Sequence, residues 1–241
     1  MHSFRLTSGE VHSWRVSLDV PPETSARLLA TLAPDERARS ARFRFERDRQ
    51  HFVVAHGALR ELLGSYLGTR PGSIRYVYNA FGKPDLGPEF GARLKFNLTH
   101  SAGLALIAVA AGSSLGVDVE CIRPRPDYDE IARRFFSAAE VDELASVPSH
   151  LYAAAFLGRW TKIEAYLKAR GEGFAASSGS FSVPQRWSIH ALRPGPGYVG
   201  ALAIEGSGWR LSERRWTPEG LVGRGGFEPP TNGLKVRSRP I

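Results

Sequence analysis

Two long segments of the chain repeat apolar residues every three to four positions, which is the spacing of one helix face. The pattern predicts helices from Asp35 to about Leu67 and over Leu151–Arg170. Gly171 follows the second segment, where a glycine commonly ends a helix. A shorter helix is predicted after Ser137, because Ser137 and Glu140 have the spacing of a capping box.

Six shorter segments have the alternating or continuous apolar pattern of strands. They are Ile74–Tyr78, Leu94–Leu98, Leu104–Ala111, Leu115–Glu120, Trp187–Leu192 and Ala201–Ile204. Between the first two, Asn79–Gly91 holds three glycines and two prolines and is predicted to be a loop. Helices and strands are mixed along the chain, so the pattern indicates the α+β class.

Glycine and serine at residues 112–114 mark the best boundary within this pattern. The boundary divides the chain into an N-terminal half, residues 1–112, and a C-terminal half, residues 113–221, which repeats the order of strand and helix. From about Val222 the chain contains glycine, proline and charged residues without periodicity. We therefore expect residues 222–241 to be a disordered tail.

Composition narrows the class of protein. The chain is 42% hydrophobic, which suits one large or two small domains with real cores. The longest apolar run, Leu104–Ala111, is far shorter than the roughly 20 residues of a membrane helix, so no membrane partner is expected. Met1–Trp14 lacks the apolar segment of a secretory signal. With Cys121 as the only cysteine, the cytoplasm is the expected compartment.

Positive charge is concentrated in one part of the chain. The formal net charge is +8, and residues 27–60 carry eight arginines against four acidic residues. A basic surface of this kind attracts nucleic acid, a polyphosphate ligand or an acidic protein. An arginine-rich helix face that is simply solvated would have the same composition.

The strand that contains Asp118 and Glu120 offers a candidate metal site. Alternate side chains of a strand share a face, so these two carboxylates point together while Val117 and Val119 point into the core. Mg²⁺ commonly uses one or two carboxylates and completes its shell with waters and substrate phosphates. An edge strand with an ordinary polar face would show the same pattern.

The predicted helix Leu151–Arg170 carries a second set of candidates. Trp160, Glu164 and Lys168 are four residues apart and lie on one helix face. Glu164 could be a third carboxylate for the metal and Lys168 a cation beside a phosphate. The alternative is a plain surface ion pair between them.

Candidate phosphate-binding residues lie in the first half. His100 is flanked by the hydroxyls of Thr99 and Ser101 near a predicted strand end, and all three can donate hydrogen bonds to phosphate oxygens. Lys83 lies in a loop made rigid by Pro84. A structural histidine and a solvent-facing lysine are the alternatives.

The order and spacing of these residues resemble those of the 4′-phosphopantetheinyl transferase family, of the type that activates surfactin synthetase. The resemblance covers roughly residues 10–220, and GVDVE followed by WTxxEAYLKxxGxG is its most distinctive part. It implies two similar α+β halves packed about a pseudo-twofold axis, with coenzyme A in the cleft between them. The matching stretches are Asp35–Phe45, Gly82–Pro84, Phe96–Ser101, Gly116–Glu120, Phe135–Glu140 and Trp160–Gly173.

The resemblance also implies roles for individual residues. It makes Glu164 the base for the attacking hydroxyl, directly or through a metal-bound water, and places Lys168 at the pyrophosphate and Arg39 near the 3′-phosphate. The implied metal ligands are Asp118, Glu120 and Glu164, and the implied nucleotide and phosphate contacts are Lys83, Pro84, Thr99 and His100. The chain departs from the family pattern at Ile163, Thr99 and His51, which bears on individual coenzyme contacts.

The implied activity is the magnesium-dependent transfer of the 4′-phosphopantetheine group of coenzyme A to a serine of an acyl or peptidyl carrier protein, as in a holo-[acyl-carrier-protein] synthase. Such an enzyme serves fatty acid, polyketide or nonribosomal peptide biosynthesis. Expected partners are coenzyme A and an acidic carrier domain but no nucleic acid, and the protein is expected to be a monomer. One alternative is another magnesium-dependent phosphate-ester or phosphoanhydride enzyme. A basic nucleic-acid-binding module is a second alternative, although the chain lacks interleaved aromatic and basic residues.

Overall fold

The computed structural model describes residues 4–91, 93–171 and 183–218. The predicted tail at residues 222–241 lies outside these ranges, as does Gly173 of the last matching stretch. The described residues form six α-helices and nine strands, which confirms the α+β class. Among these residues, no helix combines the length and apolar character needed to cross a membrane.

Two of the helices are 22 residues long and dominate the fold. The six helices are α1 (Pro22–Leu29), α2 (Pro34–Ser40), α3 (Glu46–Leu67), α4 (Tyr128–Phe135), α5 (Ala138–Ala145) and α6 (Ser149–Arg170). Gly171 ends α6 with a φ of 70°, in the left-handed region where glycine is favoured. Ser137 and Glu140 form the predicted capping box at the start of α5.

The strands form a four-stranded sheet, a three-stranded sheet and a two-stranded hairpin. The strands are β1 (Glu10–Ser17), β2 (Tyr76–Tyr78), β3 (Pro84–Leu86), β4 (Leu94–Ser101), β5 (Leu104–Ala111), β6 (Leu115–Cys121), β7 (Trp187–Leu192), β8 (Tyr198–Glu205) and β9 (Arg210–Arg215). Their orders are β4-β5-β1-β9, β6-β8-β7 and β2-β3. All pairings are antiparallel except that β9 runs parallel to β1.

Hydrophobic clusters arrange these elements in four layers. One cluster joins α3 to the outer face of the four-stranded sheet, and a second lies between the two sheets. A third cluster packs α6 on the other face of the three-stranded sheet. Alternate residues of β5 enter the first two clusters, with Ile107 in one and Leu106 in the other. Burial of both faces explains why β5 is a continuous apolar run.

The single long helix predicted from Asp35 to Leu67 is wrong in its middle. The chain leaves the helix between α2 and α3, and Phe45 is extended with φ −103° and ψ 134°. The carboxylate of Glu36 on α2 is buried, and it contacts Arg60 Nε at 2.6 Å and His56 Nδ1 at 3.1 Å on α3. A continuous helix would hold Glu36 and Arg60 roughly 36 Å apart, so this buried ion pair requires the chain to fold back.

The predicted loop Asn79–Gly91 contains the short strand β3, which pairs with β2. The other predicted strands are present with bounds that differ by up to three residues. The turn between β5 and β6 falls at the predicted boundary after residue 112. However, β9 returns from the second half to pair with β1 of the first. The division into two similar halves stays a prediction.

Candidate active site

A close approach between β6 and α6 forms the floor of the candidate site. Val117 and Val119 enter the cluster between the sheets, so the opposite face of β6 is turned toward α6. Gly116 makes this approach possible. A Cβ at this position would lie 2.2 Å from the carbonyl oxygen of Ala165 and 2.3 Å from the backbone nitrogen of Ala169, both on α6. No side chain larger than hydrogen fits there.

Asp118 lies at the centre of the site and is only 3% exposed. Its Oδ1 accepts hydrogen bonds from Lys168 Nζ at 2.6 Å and from Thr99 Oγ1 at 3.2 Å. Lys168 Nζ also donates to Thr99 Oγ1 at 3.1 Å, which closes a triangle of three groups. The other oxygen, Oδ2, is buried and has no hydrogen-bond partner among the described residues. A buried carboxylate oxygen without a donor is costly unless a cation or water completes its environment.

Side chains join β4 to β6 where the two sheets meet. These strands lie side by side but belong to different sheets. Asn97 Oδ1 accepts a hydrogen bond from the backbone N–H of Val117 at 2.9 Å. Ser101 Oγ donates to Glu120 Oε2 at 2.8 Å and accepts from the backbone N–H of Cys121 at 3.2 Å. These contacts fix the second carboxylate of the predicted metal site at the edge of β4.

Glu164 faces the same region from α6. Burial raises the pKa of Glu164 to about 7, and although Lys168 opposes this rise, the negative charges of Asp118 and Glu120 add to it. Burial likewise raises the pKa of Asp118, against the opposing effect of Lys168. Asp118 and Glu120 therefore disfavour the ionised form of Glu164, and Glu120 has the same effect on Asp118. A cation among them would remove this repulsion.

The carboxylates of Asp118, Glu120 and Glu164 suit a Mg²⁺ ion that binds in the company of a phosphate substrate. In the described part of the chain, no group of three or more His, Cys, Asp or Glu side chains is arranged as a ready metal site. Mg²⁺ commonly needs only one or two carboxylates, because waters and substrate phosphates complete its shell. The free Oδ2 of Asp118, beside Glu120 and Glu164, fits this requirement. The assignment of all three carboxylates as ligands stays a prediction.

His100 is solvent-exposed near the end of β4. Partial desolvation lowers its pKa, and the nearby charges of His56, His51, Lys168 and Arg39 lower it further. A histidine among such groups lies in a positive electrostatic environment, which favours a bound anion. Of the two predicted phosphate contacts Thr99 and His100, Thr99 is bonded to Lys168 at 3.1 Å, and His100 is the next residue on β4.

Arg39 and His51 have other immediate contacts. The guanidinium of Arg39, an exposed residue on α2, lies 5.3 Å from the ring centroid of Phe52. The ring of His56 stacks on Phe52 at 4.0 Å. His51 is buried, and its Nε2 lies 3.0 Å from Asp19 Oδ1. Arg39 and His51 both influence His100 electrostatically, while their direct contacts are with Phe52 and Asp19.

Lys83 makes contacts that the sequence did not predict. Its Nζ donates to the carbonyl oxygens of Leu115 and Ala169, each at 3.0 Å. Pro84 begins β3 and pairs with Tyr78. Lys83 and Pro84 nevertheless line a cleft of about 210 Å³ beside α6. The cleft is lined by Phe81, Gly82, Lys83, Pro84, Asn97, Leu98, Lys168 and Gly171.

Sequence reasoning missed several residues that build this site. Asn97 was not singled out, although an asparagine inside an apolar strand pattern is a signal that a buried polar contact exists. Gly116 was identified only as part of the GVDVE motif. Its role is to let α6 approach β6, and that could not be seen from the sequence because the part of α6 that it meets lies about 50 residues further along the chain. Asn79 gave no signal, because its partner Gly171 lies 92 residues away.

Comparison with known proteins bears on what such a site does. Residues 114–218 match the family model described as the 4′-phosphopantetheinyl transferase superfamily. The chain is 40% identical over 217 residues to the 4′-phosphopantetheinyl transferase HetI of Nostoc sp., covering 85% of this chain and 92% of that protein. It is 31% identical over 185 residues to a putative 4′-phosphopantetheinyl transferase of Synechocystis sp., covering 77% and 72%. The transferase Sfp of Bacillus subtilis is 27% identical over 161 residues, covering 67% and 70%.

Proposed function

The chain belongs to the 4′-phosphopantetheinyl transferase superfamily, and we propose that it transfers the 4′-phosphopantetheine group of coenzyme A to a serine of an acyl or peptidyl carrier protein. The observation that carries this proposal is the contact between Asp118 and Lys168 beside Thr99. A carboxylate with a free oxygen and an ammonium at the same point suit a substrate with a diphosphate. The transferase names of the relatives supply the substrate class.

The reaction forms one P–O bond and breaks another. The carrier serine oxygen attacks the β-phosphorus of coenzyme A, the bond to the bridging oxygen breaks, and 3′,5′-bisphosphoadenosine leaves. Lys168 donates hydrogen bonds to the diphosphate and stabilises the charge that develops on the leaving phosphate. Glu164 accepts the serine proton, which then passes to solvent; a carboxylate with a pKa near 7 is matched to this role.

Asp118, Glu120 and Glu164 would hold Mg²⁺. When bound, Mg²⁺ would neutralise charge on the diphosphate. Thr99 and His100 would bind phosphate oxygens from β4, with the Thr99 hydroxyl turning its proton from Asp118 Oδ1 to the phosphate, and Arg39 would bind the 3′-phosphate from α2. Lys83 and Pro84 line the cleft that would receive the nucleotide.

The partner is an acidic carrier domain, for which the arginines of residues 27–60 offer complementary charge. We further propose that the protein acts as a cytoplasmic monomer, in the manner of a holo-[acyl-carrier-protein] synthase. Coenzyme A, Mg²⁺ and an apo-carrier are the components that this activity requires.

The test is incubation of the protein with coenzyme A, Mg²⁺ and an apo-carrier, followed by intact-mass measurement of the carrier. We expect a mass gain of one phosphopantetheine, which should be absent when the carrier serine is replaced by alanine. Release of 3′,5′-bisphosphoadenosine without any carrier would instead indicate a phosphohydrolase and contradict the proposal. A mass gain that persists without Mg²⁺ and with chelator would contradict the metal assignment alone.

A further inference from the structure

The loop between β2 and β3 is tied to the C-terminal end of α6. Asn79 Nδ2 donates to the carbonyl oxygen of Gly171 at 2.9 Å. Asn79 Oδ1 accepts hydrogen bonds from the backbone N–H groups of Phe81 and Lys83, each at 2.9 Å. One side chain therefore shapes the loop and attaches it to Gly171 at the end of α6, 92 residues later in the chain.

Lys83 makes a second attachment at the same place. Its ammonium bridges the carbonyl oxygens of Leu115, the first residue of β6, and Ala169, in the last turn of α6. The last carbonyls of a helix have no partner within the helix and carry partial negative charge, so an ammonium is favoured there. The contact joins three elements: the loop, β6 and α6.

Two of those elements carry the catalytic groups. Ala169 directly follows Lys168, and Leu115 lies three residues before Asp118 on β6. The Lys83 bridge spans the same gap between β6 and α6 that Lys168 crosses to reach Asp118 at 2.6 Å. Anything that changes this gap changes the distance between the two catalytic groups.

The environment of Lys83 is suited to a backbone contact. Burial lowers its pKa to about 8, with Asp85 opposing the shift and Lys95 adding to it. The carboxylate of Asp85 is paired with Lys95. Two of the three donors of the Lys83 ammonium are already bonded to carbonyl oxygens.

We propose that Lys83 is a positioning residue that sets the spacing between β6 and α6 and so holds Lys168 against Asp118. This inference rests on the proposed transferase function, and it differs from the family resemblance, which makes Lys83 a ligand of the nucleotide phosphates. The two roles predict different kinetics. A lost ligand weakens coenzyme A binding, while a shifted Lys168 slows the chemical step with coenzyme A still bound.

The test compares Lys83→Met with Lys95→Met. Lys95 is a nearby lysine that pairs only with the partly exposed Asp85 among the described residues, so its loss should leave kcat and KM unchanged. Lys83→Met should lower kcat by about ten-fold or more, because misplacements of about 1 Å can cost on the order of 100-fold. The KM and Kd for coenzyme A, the latter from calorimetry, should stay within about three-fold of wild type.

A readout that does not depend on activity accompanies the kinetics. In Lys83→Met, backbone amides in the last turn of α6 should exchange faster with deuterium, while amides of β1 should be unchanged. Asn79→Ala removes the neighbouring tie without changing charge, and it should reproduce both the lower kcat and the faster exchange. If Lys83→Met fails to fold, Asn79→Ala takes its place as the test variant.

Two results would overturn the inference. A rise of about ten-fold or more in KM and Kd with unchanged kcat in Lys83→Met would return the lysine to the role of a phosphate ligand. Unchanged exchange in α6 in both variants would show that the ties do not hold the helix. If wild-type protein transferred no phosphopantetheine, the proposed function would fail, while the exchange experiment would still test the ties.

Discussion

Lys168 Nζ lies 2.6 Å from Oδ1 of Asp118, while Oδ2 of the same carboxylate is buried without a partner in the described part of the chain. The two residues are 50 positions apart, on α6 and β6. One oxygen is therefore held by a cation that belongs to the protein, and the other is the atom that would contact Mg²⁺ in the proposed site. Because the two oxygens of Asp118 differ in this way, the residues around them have distinct roles that substitutions can test.

Asp118→Asn should abolish transfer and preserve the fold. The amide keeps the shape of the carboxylate but removes the charge that pairs with Lys168 and that would bind Mg²⁺ at Oδ2. Because Lys168 is 32% exposed, water can solvate its ammonium when the partner is lost, and the loss of stability should be small. The measurement is carrier modification by intact mass, with melting temperature as the check on folding.

Asp142→Asn is the matched control for this variant, because Asp142 is exposed on α5, away from the site. It should keep wild-type activity and melting temperature. A folded Asp118→Asn protein with near-normal turnover would remove Asp118 from the catalytic groups.

His100→Ala should weaken binding of coenzyme A more than binding of the carrier. The basic groups near His100 favour a bound phosphate, to which the histidine can donate a hydrogen bond. Calorimetric titration with coenzyme A and separately with apo-carrier measures the two affinities. His150→Ala, at an exposed position in the first turn of α6, is the control. Unchanged affinity for coenzyme A in His100→Ala would make the histidine structural.

Gly116→Ala should destabilise the protein and lower its activity. The added methyl group would meet backbone atoms of Ala165 and Ala169, so α6 must move away from β6. Overpacking of this kind commonly costs about 1–3 kcal/mol in the free energy of unfolding. Lys168 would move with the helix, and turnover should therefore fall even in the folded fraction.

Gly158→Ala is the matched control for this substitution. Gly158 lies within α6, and a Cβ there would meet no atom within 4 Å. Alanine is the better helix former, so this variant should be more stable than wild type by about 0.5–1 kcal/mol. Urea unfolding of both variants measures the two opposite shifts. Equal midpoints for Gly116→Ala and wild type would show that β6 and α6 are not in close contact.

The local elements of the chain were largely predictable from its sequence. The continuous apolar run of β5 and the alternation in β6 are signals within a few residues, and both strands are present. The break between α2 and α3 was not predictable, because it depends on the ion pair between Glu36 and Arg60 across two helices. The pairing of β9 with β1 also escaped prediction, since it joins the two ends of the described chain.

Prediction of the site had the same limit. The shared face of Asp118 and Glu120 follows from the two-residue period of a strand. The contact of Lys168 with Asp118 and Thr99 could not be derived in this way, because the three residues belong to three different elements, α6, β6 and β4. Lys83 shows the limit most clearly. The family resemblance makes it a contact of the nucleotide phosphates, and a loop lysine in the sequence could not indicate that its ammonium is bonded to two backbone carbonyls.

Glu164 and Lys168 should respond differently to magnesium, although they are separated by one helical turn. If they formed only an exposed ion pair, either substitution would cost a few tenths of a kcal/mol in stability and leave the rate unchanged. If Glu164 holds Mg²⁺, Glu164→Gln removes one charge from the metal site, and extra Mg²⁺ should restore part of the activity unless Glu164 is also the base. Lys168→Ala removes the donor to the leaving phosphate instead, so its slower turnover should not respond to Mg²⁺.

The experiment is a magnesium titration of transfer activity for both variants and wild type, with melting temperatures measured in parallel. Lys162→Ala is the control, because Lys162 is exposed on α6 and should leave the magnesium dependence unchanged. Lys168→Arg should also be slow, since a planar guanidinium does not replace the compact ammonium between Asp118 and Thr99. Small, equal effects in Glu164→Gln and Lys168→Ala, without rescue of either, would remove both residues from the catalytic groups.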